Sequence, residues 1–207
     1  MNSVAKPKAS PRADIASRKQ AFVRDEILAS ATQLFAQRGY RAVTIDDVAA
    51  NLGYTKSVVY YYFKSKNEIL WHVFMGTFET FFSSVDTIVK EGAAPEVAMA
   101  KMLRVHTVNV MRNPATTAIW NRDESELDPA QRRQVRKMKR DYDALFESVF
   151  QAGVSSGVFR DIPPHVAIGG MLGMSNWLYA WYDDKGPLSA EQIADHFTTL
   201  LTDGYRQ

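Results

Sequence analysis

The stretch AANLGYTKSVVYYYFKSKNEIL, Ala49 to Leu70, places four aromatic residues in succession beside Lys56, Lys64 and Lys66. As a strand it would be a buried ribbon flanked by cations. As a helix it has two faces. At about 100° per residue, Lys56, Ser57, Tyr60 and Tyr61 share one arc, and Val59 and Tyr62 lie opposite. One face suits packing; the other offers a lysine, a hydroxyl and two phenols to the outside. Upstream, Ile27, Ala31, Leu34 and Phe35 form a helical stripe that Gly39 ends. Thr44 and Asp47 form a capping box before Ile45, Val48, Ala49 and Leu52. Gly53 turns the chain into the Thr55–Tyr62 helix. Three short helices, the last two joined by a tight glycine turn, describe a helix-turn-helix.

That face has the chemistry of a DNA reader. Phenols and ammonium groups hydrogen-bond phosphates, and Lys56, at the start of the helix, is placed to reach base edges. The expected DNA contacts are Thr44, Thr55, Lys56, Ser57, Tyr60, Tyr61, Lys64 and Lys66. Charge agrees. Residues 1–66 hold eleven Lys/Arg against five Asp/Glu, while 67–207 hold fourteen against eighteen. A basic head on an acidic body fits a polyanion-binding module joined to another kind of unit.

The run ILASATQLFAQRGYRAVTIDDVAANLGYTKSVVYYYFKSKNEIL resembles the DNA-binding head of the tetracycline-repressor (TetR) family over about Ile27–Leu70. The resemblance implies an all-α homodimer with an N-terminal helix-turn-helix and a C-terminal effector-binding body. Many members have Gly-Thr where this chain has Ser57-Val58, so a threonine–phosphate contact at Val58 is absent. The expected division is a disordered basic arm over 1–19, a DNA-binding domain over 20–66, and an effector-binding and dimerisation domain over 67–207.

The rest of the 207-residue chain reads as helix throughout. Helices are expected near 66–90, 95–111, 115–122, 129–154, 163–182 and 190–205, about nine in all. Ser65 and Glu68 form a capping box, as do Ser189 and Gln192, and Asp128-Pro129 supplies an N-cap and an N1 proline. The fourth helix is bulky and apolar around much of its surface, which suits a central helix or a cavity wall. Gly169, Gly170 and Gly173 suggest close approach of another helix. The resemblance implies an effector cavity and a two-fold bundle of the last two long helices. The expected ligand contacts are Phe78, Phe82, Met102, His106, Arg122, Arg133, Phe146, Met174, Asn176 and Trp177. The basic run Arg132–Arg140 reads as a solvated face or an anion patch.

Some chemistry is unsupported. There is no cysteine, hence no disulfide or thiolate site. His72, His106, His165 and His196 lack metal-ligand spacing, so no metal or cofactor is expected. No Ser–His–Asp set or phosphate-cradling loop supports an enzyme. No apolar run reaches the roughly 18–20 residues of a membrane span, and the basic N-terminus lacks a signal-peptide core; a soluble cytoplasmic protein is expected. The leading expectation is a repressor released from a pseudo-palindromic operator by a small-molecule effector. The C-terminal segments resemble regulators of fatty-acid, sterol or aromatic-acid breakdown, which implies an acyl-CoA thioester. An activator or broad DNA-binding factor is one alternative. A helical small-molecule-binding protein or enzyme whose head only resembles a DNA reader is the other.

Overall fold

The computed structural model describes residues 11–203, with side chains from residue 17 onward. Among the described residues there are nine α-helices, two 3₁₀ turns and no β-strand. The chain divides into two compact units between Ile69 and Leu70.

In the first unit, α1 spans Pro11–Arg38. The expected irregular arm is therefore helical over 11–19, and residues 1–10 lie outside the described residues. Proline is tolerated in a first helical turn, and Ala, Arg, Lys and Gln are strong helix formers. Lack of large apolar residues there marks an exposed helix: 17–22 all face solvent. The stripe of Ile27, Ala31, Leu34 and Phe35 is buried. Gly39, at φ +84°, ends α1 in the left-handed region that a side chain would strain.

Helix α2 (Ile45–Asn51) carries the Thr44–Asp47 capping box. Gly53, at φ +68°, makes the turn to α3 (Lys56–Tyr62), for which Thr55 is the N-cap residue. Val59 and Phe63 anchor α3 inward. Helix α4 (Lys66–Lys90) begins with Ser65 Oγ accepting from the Glu68 N–H. The Glu68 carboxylate reaches back to the Lys64 N–H, one residue before the position that a reciprocal box requires.

In the second unit, the rest of α4 joins α5 (Pro95–Arg112), α6 (Pro114–Arg122), α7 (Pro129–Ser155), α8 (Pro164–Asn176) and α9 (Ala190–Asp203). Four of these start on a proline after a break, and Asp128 caps α7 through Ala130 and Gln131. Helix α5 is central and packs on α7, α8 and α9. Its Met99, Met102 and Leu103 join Phe146, Phe150, Phe159 and Leu172 in the main core. Val110 and Met111 join Leu178, Ile193 and Ala194 in a second cluster. Arg104–Asp195 and Arg112–Glu191 ion pairs line the α5–α9 seam.

The single helix expected over 163–182 instead stops at Asn176, and Trp177–Ala180 form a 3₁₀ turn. The tighter winding carries Leu178 into the second cluster, where it is fully buried, and leaves Trp177 and Trp181 exposed. Aromatic residues hold helix only weakly, so tertiary burial of Leu178 decides the backbone.

The expected close approach at Gly169, Gly170 and Gly173 is not found within the chain: a Cβ at any of them would meet nothing within 4 Å. The tight glycine is Gly153 near the end of α7. A Cβ there would lie 2.1 Å from the Phe159 ring, which is buried and stacked on Phe150 at 5.3 Å. Gly153→Ala is expected to destabilise the protein by about 1–3 kcal/mol through overpacking, read as a lower denaturant midpoint. Gly169→Ala, with open space, is expected to hold or raise that midpoint.

Candidate nucleic-acid interface and ligand cavity

On α3 the expected outward face is outward. Lys56, Ser57, Tyr60 and Tyr61 are exposed, as are Thr55 and Lys64, and Tyr60 and Tyr61 keep 47% and 70% of their surface. The Thr55 side chain makes no cap bond to its own helix. Gln20 of α1 donates to the Tyr61 hydroxyl at 3.1 Å, which ties the face to the first helix. Lys56 Nζ donates to Asp46 of α2 at 2.7 Å. Both groups are well exposed, so the pair is one that another anion can replace. The Asp46 contact raises the Lys56 pKa and keeps the ammonium charged.

Two expected contacts have other uses. Lys66 Nζ donates to the Tyr40 and Val43 carbonyls at 2.8 and 2.7 Å and lies over the Tyr40 ring at 4.2 Å. It holds the α1–α2 loop rather than pointing outward. Thr44 is engaged with Asp47: its hydroxyl donates to the carboxylate and accepts from the Asp47 N–H, and its own N–H donates to the same carboxylate. Its evident work is to start α2.

The second unit contains a cavity of about 320 Å³, at the small end of ligand-site volumes. Five helices line it. Thr77, Phe78 and Phe81 come from α4, His106 from α5, Thr117, Trp120 and Asn121 from α6, Lys139, Tyr142 and Asp143 from α7, and Gly169, Leu172, Gly173 and Asn176 from α8. Gly169 and Gly173 are one helical turn apart, so the glycines meant for helix contact instead leave room at the cavity wall.

His106 organises the floor. Its Nδ1 is 2.8 Å from the Tyr142 hydroxyl, and its Nε2 is 3.2 Å from Asn176 Oδ1. Burial pushes its pKa down to about 4, with the Asn176 bond opposing the shift. The imidazole is therefore neutral near pH 7. Because Asn176 Oδ1 can only accept, Nε2 carries the proton and Nδ1 accepts from Tyr142. Burial also holds the Tyr142 phenol well above its usual pKa, so it remains a donor.

Of the ten ligand residues expected from sequence, Phe78, His106 and Asn176 line the cavity. Phe82 packs on Phe78 at 5.1 Å. Met102 and Phe146 are fully buried core, with the Phe146 ring 6.2 Å from His106. The other four lie off the cavity lining. Met174 and Trp177 keep 46% and 63% of their surface, because the cavity takes the α8 face of Gly169, Gly173 and Asn176. Arg122 forms a two-pronged pair with Asp123 at 3.0 and 2.9 Å, neutralising a buried carboxylate. Arg133 is exposed on α7 and does not line the cavity. Sequence reading missed Thr117, Trp120, Lys139, Tyr142 and Asp143 as site residues. The spacing of Lys139, Tyr142, Asp143 and Phe146 is one helical face and was the available signal.

Among the described residues no group of three or more His, Asp or Glu side chains could hold a metal ion, and no helix is long and apolar enough to cross a membrane. A helix-turn-helix head joined to a helical unit with its own cavity is the organisation of a ligand-sensing DNA-binding regulator. Residues 27–73 match the family described as bacterial regulatory proteins, tetR family, and residues 92–205 match the tetracyclin repressor-like C-terminal domain. The chain belongs to the TetR family of transcriptional regulators. It is 26% identical over 196 residues to the HTH-type transcriptional repressor KstR2 of Rhodococcus jostii, covering 94% of this chain and 96% of that one. It also resembles a TetR/AcrR-family regulator from Thermobifida fusca, with 33% identity, a TM-score of 0.70, and 89% and 98% of the two chains covered. A third relative is AibR, solved in complex with isovaleryl coenzyme A and operator DNA, with 26% identity, a TM-score of 0.79, and 86% and 97% covered.

His106 makes stability depend on pH. Its folded pKa of about 4 lies below the ordinary imidazole value of 6.5, so below pH 6.5 the unfolded chain binds a proton that the folded chain does not. Stability should fall as pH drops from about 6.5 to about 4, by up to ~1.4 kcal/mol per pH unit, and this contribution should level off below. Denaturant titrations of wild type and His106→Gln across this range are expected to converge as pH falls. An NMR titration should show the His106 imidazole still neutral at pH 5.

Proposed function

We propose that this protein is a cytoplasmic transcriptional repressor that binds a pseudo-palindromic operator as a homodimer and leaves it when a small-molecule effector enters the cavity of the second unit. The observation that carries the reading is the pairing, in one chain, of an exposed α3 face rich in tyrosine and lysine with a separate cavity walled by aromatic and polar side chains. The named relatives are repressors and regulators, and AibR holds both an acyl-CoA and operator DNA.

In the head, Lys56 and Tyr60 are the residues of choice for base contacts. Thr55, Ser57, Tyr61 and Lys64 would meet sugar and phosphate. Lys56 exchanges Asp46 for DNA. Thr44 and Lys66 act indirectly, by fixing α2 and the α1–α2 loop against which α3 is set. For the dimer, α8, the following 3₁₀ turn and α9 expose Val166, Met174, Trp177, Trp181 and Leu200, an apolar surface suited to a two-fold bundle.

The effector class we favour is an acyl-CoA thioester. A cavity of about 320 Å³ suits an acyl group. The exposed Arg133 and Arg136 of α7 would serve the phosphates of the carrier outside it. Coupling follows the chain. Helix α4 is continuous from Lys66, which holds the head's loop, to Phe78 and Phe81 at the cavity. Ligand releases DNA only if it favours the α4 setting that DNA disfavours.

A nuclease footprint on the DNA upstream of the protein's own gene is expected to show one short palindrome overlapping a promoter. Lys56→Ala and Tyr60→Ala should each weaken that complex about tenfold to a hundredfold with the fold intact. Broad coverage, no sequence-specific complex, or wild-type affinity in both variants would contradict the reading.

A further inference from the structure

Two polar groups of the cavity are left over by the protein's own bonding. Asn176 is half-buried and lines the cavity, and its carbonyl oxygen is taken by His106. Its amide nitrogen has no partner among the described residues. Thr117 Oγ1, also at the cavity, is buried without a hydrogen bond. An unpaired buried hydroxyl costs free energy until something supplies a partner. Asn176 turns Oδ1 to the imidazole. His106 Nε2–H therefore donates to it, Nδ1 accepts from the Tyr142 hydroxyl, and the N–H₂ end of the amide is left for the cavity. A chain of donors ending in a free N–H₂ asks for an acceptor.

The charge of that acceptor is restricted. The Asp143 carboxylate lines the same cavity, and burial raises its pKa, with Glu147 adding to the shift and Lys139 opposing it. The Lys139 ammonium is paired with Glu124 at 2.6 Å and lies over the Trp120 ring. His106 is neutral. No lining group offers an uncompensated positive charge, so a ligand carboxylate would meet Asp143 without a counter-ion.

We propose that Asn176 is the specificity-determining donor of the cavity and holds an uncharged carbonyl oxygen of the effector, with His106 and Tyr142 as its positioning residues and Asp143 disfavouring carboxylates. This rests on the reading that the cavity is the effector site, and it divides carbonyl derivatives such as thioesters, amides or ketones from the free acids. Thr117 takes the second lone pair of the carbonyl or a neighbouring polar atom.

The test uses the full-length protein and three probes that share one apolar body: the 3-phenylpropanoyl thioester of N-acetylcysteamine, 3-phenylpropanoate, and the corresponding 3-phenylpropyl thioether, which lacks the carbonyl. Binding is read by calorimetry. Wild type should prefer the thioester over both others by about tenfold or more, the value of one well-placed hydrogen bond. Asn176→Asp keeps the acceptor for His106 and removes the donor, so its thioester-to-thioether ratio should fall to about one. Tyr142→Phe frees the imidazole tautomer and should lower the same ratio. A merely structural loss would weaken all probes alike and leave the ratio standing. Asp143→Asn should raise affinity for the carboxylate alone. Equal binding of thioester and thioether by wild type, an unchanged ratio in Asn176→Asp, or no binding of any probe at millimolar concentration would overturn the proposal. Operator release, read by DNA anisotropy in the same samples, separates the two readings. Asn176-dependent binding without release overturns the repressor reading and keeps the carbonyl contact. Release that ignores Asn176 does the reverse.

Discussion

The buried, neutral imidazole of His106 is the constraint on which the second unit is organised. It joins α5 to α7 through Tyr142 and to α8 through Asn176. Phe81 and Phe146 meet its ring at 5.5 and 6.2 Å. A charged imidazole could not sit there without a counter-ion, and burial removes the charge instead. Neutrality leaves one ring nitrogen to donate and the other to accept, and Asn176 Oδ1, which only accepts, decides which. Three helices are held at fixed spacing by two directional bonds. The space that they enclose stays open, since the residues next to it on α8 are Gly169 and Gly173. An apolar residue at 106 would leave Tyr142 without its partner and remove the reason for Asn176 to face one way.

The head solves a different problem. Its helices α2 and α3 have seven residues each, too few to be stable alone, and they depend on packing and loop geometry. Lys66 supplies part of that, with its ammonium on two loop carbonyls and the Tyr40 ring. Lys56, ten residues earlier, is the opposite case: an exposed cation on an exchangeable partner. The same residue type thus serves rigidity at one site and keeps an exchangeable pair at the other, decided by whether the amine meets fixed carbonyls or an exposed carboxylate. Lys66 opens α4, and Phe78 and Phe81 of the cavity lie further along the same helix.

Much of this was legible from local rules. The end of α1 at Gly39 and the start of α7 at Asp128-Pro129 were legible because a left-handed glycine and a capped first-turn proline act through a few neighbouring residues. The α3 face was legible for the same reason: a seven-residue helix with one buried stripe has little freedom. What failed depended on partners distant in sequence. Lys66 looked like a free cation, but the carbonyls of Tyr40 and Val43 claim it. Leu178 broke α8 by going into a cluster with α5 and α9. The cavity gathers residues from five helices, so no window of sequence contains it. Thr117 and Trp120 gave no local sign. His106 and Asn176 were visible only as polar residues in apolar surroundings.

The central claim is that the cavity and the α3 face compete for one conformational equilibrium. Linkage makes it measurable from either side, because two coupled sites must change each other's affinity by the same factor. The most direct measurement is the affinity for isovaleryl coenzyme A, by calorimetry, of free protein and of protein saturated with its footprinted operator duplex, set beside operator affinity with and without the thioester. The expected result is a weaker thioester affinity on the operator, by the same factor that the thioester weakens DNA binding. Binding of the thioester with equal affinity to free and DNA-bound protein, or no binding at all, would contradict the claim for this effector class.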